Sequence, residues 1–333
     1  MKVGILHHDP AAADGLRRVL SSTHEHEVVW STGLGADAVT LAAERRVDLV
    51  VLALPPAGMS GAEATRRIMA NAPCAILIVT PSVRANAGAV FDAMGHGALD
   101  AVDLPAGGAH EWPTAPLLAK IETIARLIRD RNGSTGRGRR NAGDATLQRR
   151  LLAIGASAGG PTAVATLLGG LPAELDCAVV VVQHVDERFA QGLAQWLSRS
   201  SARPVRVAEE GDGLSSDAVL IAGASEHLVL KTPGRLGYTA EPSDAPYRPS
   251  VDVFFRSVSL RWPGTAVGVL LTGMGRDGAL GLKALRKRGH FTVAQDEATS
   301  AVYGMPKAAV ALDAAVTVLP VERIAQRLVQ LWA

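Results

Sequence analysis

Aromatic residues, cysteines and long apolar runs are all scarce in this chain. Aromatic residues make up 4% of it and hydrophobic residues 48%, so its cores must be built mainly from aliphatic side chains. The two cysteines, Cys74 and Cys177, each lie at the start of an apolar strand-like run, which suits buried thiols in a reducing compartment. No apolar run reaches the roughly 18 residues of a membrane-spanning helix. Residues 2–6 read as a strand rather than as a secretory signal, so we expect a cytoplasmic protein without membrane insertion.

The charge balance also excludes some partners. A net charge of +2 at pH 7 is too small to indicate a nucleic-acid or acidic-membrane partner.

The length of 333 residues predicts two domains, and a Gly-, Ser- and Arg-rich segment at 132–146 predicts a flexible linker between them. The arginines of this segment could contact an acidic partner or nucleic acid. No aromatic residues are interleaved with them, so we interpret the segment as a solvated linker and predict no nucleic-acid partner.

Short apolar runs alternate with helical stretches in the first domain, residues 1–131. The predicted strands are 3–6, 27–30, 49–52, 75–80 and 101–102, and the predicted helices are 10–20, 36–44, 61–70 and 85–94. This alternation is typical of a parallel sheet covered by helices on both faces. An amphipathic helix from Trp112 to about Arg131 would close the domain.

The second domain, residues 147–333, follows the same pattern. Its predicted strands are 151–156, 178–183, 218–221, 266–271, 291–294 and 315–319, with helices at 162–171, 188–198 and 278–287 among others. The fold class is therefore α/β, with two doubly wound parallel-sheet domains. In such sheets ligands bind at the carboxyl ends of the strands.

A serine flanked by glycines follows the first strand of the second domain. Residues 155–159, Gly-Ala-Ser-Ala-Gly, fit the G-x-S-x-G spacing of a nucleophile elbow, and the helix start beyond leaves N–H groups for an oxyanion. A phosphate- or dinucleotide-binding turn has a similar pattern. Against that alternative, and against a nucleotide-binding reductase, the glycines of G-x-G-x-x-G are misplaced. The next strand also ends in Gln183-His184 rather than in an acidic residue.

Three strand ends of this domain carry the parts of a catalytic triad. Ser157 follows the first strand, His184 ends the second, and Asp277 lies in the loop after Leu271. A histidine oriented by a carboxylate can take the proton of a serine hydroxyl. Each residue alone could instead be a turn former, a strand-end hydrogen-bonding group or a helix cap. Their coincidence favours a serine hydrolase, although the order Ser, His, Asp is not that of α/β-hydrolases.

The segments around these residues resemble the signature segments of CheB-type protein-glutamate methylesterases. They are 155–160, Gln183-His184 and 272–279, and the segments 220–227, 248–252, 294–296 and 303–306 extend the resemblance across the second domain. The resemblance implies a Rossmann-like methylesterase domain without a cofactor. It implies hydrolysis of γ-glutamyl methyl esters on methyl-accepting chemoreceptors and, in some members, deamidation of receptor glutamines.

The same resemblance assigns roles to individual residues. Ser157 would be the nucleophile, His184 the general base and Asp277 the carboxylate that orients it. Met274 would line the site and could give its backbone N–H to the oxyanion. Ala158 stands where the family usually has threonine, so its backbone N–H is kept and any contribution of a hydroxyl is lost.

The first domain resembles a flavodoxin-type response-regulator receiver that lacks the residues needed for phosphorylation. A receiver needs carboxylates for Mg²⁺ and an aspartate that accepts the phosphoryl group. Here His7-His8 occupy the position of the metal ligands, and Ala53 occupies that of the acceptor aspartate. Leu104 replaces the family lysine, and Thr80 is the one switch residue that remains. We interpret the domain as a pseudo-receiver that is not phosphorylated in the usual way. A metal site at His7-His8 is disfavoured because adjacent strand-end residues should face opposite ways and no third ligand follows.

The branch of the family and the partners follow from further segments. Residues 63–69 and 93–102 are most similar to WspF proteins, which serve a surface-sensing pathway that controls a diguanylate cyclase. The expected partners are the cytoplasmic domain of a chemoreceptor and a CheA-like histidine kinase. We expect the first domain to act by docking, as a partial lid on the esterase or as a platform. The rival hypothesis, a non-catalytic adaptor, predicts a broken triad, whereas all three residues are present.

Overall fold

The computed structural model describes residues 1–23, 25–104, 114–130 and 150–332. The chain divides into two compact units, Met1–Ser134 and Thr135–Ala333. Trp112, Arg131 and the predicted linker 132–146 lie outside the described residues. Within the described ranges, no helix is long and apolar enough to cross a membrane.

The first unit contains a five-stranded parallel sheet. Its strands are β1 (Lys2–Leu6), β2 (Glu27–Thr32), β3 (Leu49–Ala53), β4 (Ala75–Thr80) and β5 (Asp100–Asp103), and its helices are α1 (Pro10–Ser21), α2 (Gly35–Glu44), α3 (Gly61–Asn71), α4 (Ala87–Gly95) and α5 (Thr114–Asp130). The strand order is β2-β1-β3-β4-β5, which is the flavodoxin-like order. Every residue of β3 is buried, as expected for a strand covered on both faces. The predicted fold class of this unit is confirmed.

The second unit contains a seven-stranded sheet and a two-stranded ribbon. Its strands are β6 (Arg150–Ala156), β7 (Ala178–Gln183), β8 (Val205–Val207), β9 (Val219–Ile221), β10 (His227–Thr232), β11 (Arg235–Thr239), β12 (Thr265–Leu270), β13 (Phe291–Gln295) and β14 (Thr317–Leu319). The large sheet is parallel, in the order β14-β13-β12-β6-β7-β9-β8, and β10 pairs with β11 in an antiparallel ribbon. The chain runs from β6 to β7 on one side and returns to β12 on the other side of β6. This reversal is the switch point at which α/β sheets bind ligands.

Six helices lie in the described part of the second unit, residues 150–332. They are α6 (Gly160–Gly169), α7 (Glu187–Leu197), α8 (Val251–Arg261), α9 (Ala279–Lys287), α10 (Met305–Ala311) and α11 (Val321–Trp332). Strand β8, the ribbon and helices α8, α10 and α11 were not predicted from the sequence. Helix α8 contributes Phe254 and Phe255, both fully buried, to an otherwise mostly aliphatic core. The side chain of Ser250 caps α8 by accepting a hydrogen bond from the backbone N–H of Val253.

Candidate active site

The predicted nucleophile Ser157 lies in the tight turn between β6 and α6 and is half-buried. Its carbonyl oxygen accepts a hydrogen bond of 2.7 Å from the N–H of Gly160. Gly159 adopts the left-handed conformation of this turn, with φ of 72°, which glycine adopts without strain. Gly155 has a different purpose, since a Cβ there would lie 2.2 Å from the side chain of Val251. The first glycine of the motif therefore lets helix α8 approach β6 closely.

Backbone and amide hydrogen bonds tie three strand ends together around Ser157. The Ser157 N–H donates to the carbonyl of Thr272 at 3.0 Å, and the His184 N–H donates to the carbonyl of Ala156 at 3.0 Å. The buried Gln183 side chain donates from Nε2 to the carbonyl oxygens of Ser157, at 2.8 Å, and His184, at 3.3 Å. The Ser157 turn, the end of β7 and the loop after β12 are thus held at one edge of the sheet.

His184 and Asp277 form a buried pair at this edge. His184 Nε2 lies 2.8 Å from Asp277 Oδ2, and the two side chains are 9% and 8% exposed. Asp277 also accepts hydrogen bonds from the Ser250 hydroxyl at 2.8 Å and from the N–H groups of Val251 at 2.7 Å and Asp252 at 3.1 Å. The carboxylate therefore lies at the N-terminus of α8, where the helix dipole favours negative charge.

This position differs from the helix-cap alternative considered for Asp277. That alternative placed the carboxylate at the N-terminus of the helix after Gly278. Helix α9 does begin after Gly278, which has φ of 86°, but no side chain caps its N-terminus. Asp277 interacts with the start of another helix, α8, and with the imidazole of His184.

The protonation state of the pair follows from its surroundings. Burial by itself raises the pKa of Asp277, but the hydrogen bonds from His184, Ser250 and Val251 outweigh burial and hold this pKa below its ordinary value. Asp277 is therefore ionised at neutral pH, and His184 donates a hydrogen bond to it from a protonated Nε2. The other ring nitrogen, Nδ1, is buried and has no hydrogen-bond partner. In neutral His184 this Nδ1 is the unprotonated nitrogen that can act as a base.

Tyr247 is a residue of the site that sequence reasoning missed. Its ring lies parallel to the His184 imidazole, with centroids 4.3 Å apart and an interplanar angle of 9°. Tyr247 belongs to the segment 242–250, whose ends are joined by the fully buried His227. His227 Nδ1 accepts a hydrogen bond of 3.1 Å from the Ser250 N–H, so its Nε2 carries the proton and donates to the Pro242 carbonyl at 3.1 Å.

The two predicted oxyanion residues flank the serine turn and the loop after β12. The Thr272 hydroxyl donates to the Ala158 carbonyl at 2.9 Å. Gly273 packs against Ser157, since a Cβ there would lie 2.7 Å from Ser157 Cβ. Among the hydrogen bonds of the described residues, the N–H groups of Ala158 and Met274 have no acceptor. Both donors are therefore available to a bound ligand.

The residues interpreted above as degenerate receiver positions lie at or just after strand ends of the first unit. Ala53 ends β3 and Thr80 ends β4, and both are buried. Leu104 is also buried, and its N–H donates to the Thr80 carbonyl at 2.8 Å. The Thr80 hydroxyl accepts a hydrogen bond of 2.9 Å from the amide of Asn86.

The expected orientation of His7 and His8 is wrong. Their rings stack with centroids 5.3 Å apart and an interplanar angle of 19°, because β1 ends at Leu6 and strand alternation no longer applies beyond it. Burial and the neighbouring His8 lower the pKa of His7. The described part of the chain contains no group of three or more His, Cys, Asp or Glu residues placed to hold a metal ion.

A serine, a buried imidazole and a carboxylate at the switch point of a parallel sheet define a candidate serine-hydrolase site. The CheB methylesterase family model matches residues 152–328. The protein-glutamate methylesterase/protein-glutamine glutaminase 1 of Pseudomonas fluorescens is 51% identical, over 100% of this chain and 99% of that protein. Enzyme 3 of the same name from Pseudomonas aeruginosa is 52% identical over 100% of both chains.

A solved structure agrees with these sequence relatives. The Thermotoga maritima CheB methylesterase catalytic domain has a TM-score of 0.52 and 32% identity, and the match covers 56% of this chain and 100% of that one. The chain therefore belongs to the CheB methylesterase family.

Proposed function

We propose that this chain is a protein-glutamate methylesterase that hydrolyses γ-glutamyl methyl esters on the cytoplasmic domains of chemoreceptors and releases methanol. The observation that carries the proposal is the buried His184–Asp277 pair, tied by Gln183 to the Ser157 turn in a chain of the CheB family. The relatives named above are also protein-glutamine glutaminases. Deamidation of receptor glutamines is therefore the second activity we assign to the same site.

The first half of the reaction uses the free nitrogen of His184. Ser157 Oγ attacks the ester carbonyl carbon while its proton passes to His184 Nδ1, the nitrogen left without a partner. Asp277, on the opposite nitrogen, fixes the tautomer and stabilises the imidazolium that forms. The N–H groups of Ala158 and Met274 bind the oxyanion of the tetrahedral intermediate.

The second half returns the enzyme to its starting state. The tetrahedral intermediate expels methoxide, which takes the proton from His184 Nδ1 and leaves as methanol, so that the glutamyl carbonyl is esterified to Ser157. Water then attacks this acyl-enzyme with His184 again as the base, which releases the glutamate and restores the serine hydroxyl. With a glutamine substrate the leaving group is ammonia and the remaining steps are the same.

Methanol release from a methylated receptor cytoplasmic fragment tests the proposal. We expect release by the wild-type chain, none by Ser157→Ala, and unchanged release by Ser225→Ala, which removes an exposed serine of the same unit. Absence of release by the wild-type chain, and also by residues 147–333 alone, would refute the esterase. That result would favour the non-catalytic adaptor.

We further propose that phosphorylation of the first domain does not control this enzyme. The acceptor position is the buried Ala53 and the lysine position is the buried Leu104. The hydroxyl of Thr80, the remaining switch residue, is already hydrogen-bonded to Asn86. Incubation with acetyl phosphate and Mg²⁺, with a competent receiver domain as the positive control, should give no phosphoryl adduct by mass spectrometry. A stable adduct within residues 1–105 would overturn this proposal.

We assign the chain to the WspF branch and to a cytoplasmic surface-sensing pathway with a CheA-like kinase. The segments 63–69 and 93–102 support the assignment; they lie on α3 and on the end of α4 with the start of β5. Loss of the chain would leave the receptor more methylated and the kinase more active. In cells lacking it we expect elevated cyclic diguanylate and unchanged swimming chemotaxis. Impaired chemotaxis with unchanged cyclic diguanylate would contradict the assignment.

A further inference from the structure

Tyr247 covers one face of the proposed base in a geometry that suits a charged ring. The two rings are nearly parallel, and their centroids are 4.3 Å apart. Asp277 contacts the imidazole at its edge, through Nε2, so the carboxylate and the aromatic ring approach His184 from different directions. The mechanism above assigns no part to this second contact.

We propose that Tyr247 is a positioning residue that stabilises the imidazolium form of His184 through its ring face. The inference rests on the proposed serine mechanism, in which His184 is neutral in the free enzyme and positively charged in both transition states. The face of an aromatic ring carries negative electrostatic potential and attracts a cation placed over it. Because the attraction is stronger for the charged imidazole than for the neutral one, it accelerates the chemical step rather than substrate binding.

The surroundings hold Tyr247 in place. His227 hydrogen-bonds to both ends of the segment 242–250, through Pro242 and Ser250. At the far end of the tyrosine ring, a Cβ on Gly275 would lie 3.2 Å from the Tyr247 hydroxyl, so the glycine leaves room for that hydroxyl. A ring held in this way restrains the imidazole against rotation away from Asp277.

Fluorinated phenylalanines at position 247 distinguish this role from packing. Fluorination keeps the shape of the ring and withdraws electron density from its face, so it weakens the attraction for a cation. With Tyr247→Phe as the reference, we expect kcat for methanol release to fall stepwise with each added fluorine at constant KM. Tyr247→Leu, which has no ring, should lower kcat roughly 2- to 30-fold. The same series at Phe291, whose ring faces Arg327, should leave kcat unchanged.

A titration separates this proposal from the esterase proposal itself. In the full-length chain with isotopically labelled histidine, the NMR-detected pKa of His184 should fall across the fluorinated series, whether or not the chain releases methanol. A His184 titration and a kcat that are both unchanged across the series would show that Tyr247 only packs against the ring. Failure of the wild-type chain to release methanol, with the titration shifting as expected, would refute the esterase and retain the stacking effect.

Discussion

Ser250→Ala removes a single hydroxyl that performs two separate tasks. Ser250 is 3% exposed. Its hydroxyl donates to Asp277 at 2.8 Å and accepts from the Val253 N–H at the start of α8 at 3.3 Å. A hydrogen bond to a charged group contributes about 1.5–3 kcal/mol, and an N-cap contributes about 1 kcal/mol. We therefore expect the substitution to lower the free energy of unfolding of the second unit by about 3 kcal/mol.

Ser60→Ala is the matched control for the capping part. Ser60 caps α3 in the same way, by accepting a hydrogen bond of 3.1 Å from the Glu63 N–H. Among the described residues its hydroxyl donates to no carboxylate. Removing it should destabilise the first unit by about 1 kcal/mol. The excess of about 2 kcal/mol for Ser250→Ala is then the contribution of the bond to Asp277.

The additional destabilisation by Ser250→Ala, compared with Ser60→Ala, should depend on pH. The pKa of Asp277 is lower in the folded protein than its ordinary value, so the carboxylate stabilises the fold above its unfolded pKa. This contribution is lost as the pH falls through the folded pKa. Without the Ser250 hydroxyl the folded pKa rises toward the ordinary value of about 3.9. The stability gap between wild type and Ser250→Ala is therefore largest at neutral pH and narrows below about pH 4.

Scanning calorimetry of the full-length chain between pH 3 and pH 7 measures the stability difference between wild type and each of the two variants. The Ser250→Ala gap should shrink toward the Ser60→Ala gap as the solution is acidified, while the Ser60→Ala gap stays constant. Equal effects of the two substitutions at neutral pH, or a Ser250→Ala gap that does not change with pH, would refute the interaction assigned to Asp277.

Two further substitutions test how tightly the site is packed. Gly273→Ala places a methyl group 2.2 Å from Met305 Sδ and 2.7 Å from Ser157 Cβ, so methanol release should fall at least about tenfold; Gly213→Ala, with no atom within 4 Å of the new Cβ, should have no effect. Gln183→Glu replaces the amide donor with a buried carboxylate facing two carbonyl oxygens. It should destabilise the second unit by about 3 kcal/mol or more in chemical denaturation, and an unchanged midpoint would contradict the role of the amide.

The strand-end residues could be predicted because buried parallel strands are visible in a sequence. The residues of β3 and β7 are buried along their whole length, so each reads as an uninterrupted apolar run with a clear end. Residues directly after such runs lie at the carboxyl edge of the sheet. For this reason the sequence alone predicts that Ser157, His184 and Asp277 lie near one another.

The supporting residues could not be found in the same way. Tyr247 lies in the segment 242–250, which belongs to no strand or helix, and its contact with His184 depends on tertiary structure alone. Helix α8, in contrast, has a recognisable pattern in the sequence. Ser250 precedes apolar residues at helical spacing, Val251, Phe254, Phe255 and Val258, which is the pattern of an N-cap followed by a buried helix face.

The position of Asp277 shows a second limit of sequence patterns. A carboxylate before a helix is read as the cap of that helix, whereas Asp277 accepts hydrogen bonds from the start of α8, which precedes it in the chain. Local spacing does not indicate which helix N-terminus a loop residue meets after folding. The hydrogen-bond partners of such a residue are set by how the elements pack.

Labelling with a fluorophosphonate tests the central claim, that Ser157 is activated by His184 and Asp277. The probe reacts with serine hydroxyls activated in this way, and peptide mapping by mass spectrometry locates the adduct. We expect one adduct at Ser157 in the wild-type chain, and none in His184→Gln or Ser157→Ala. An unlabelled wild-type chain, an adduct on another serine, or undiminished labelling of His184→Gln would contradict this claim.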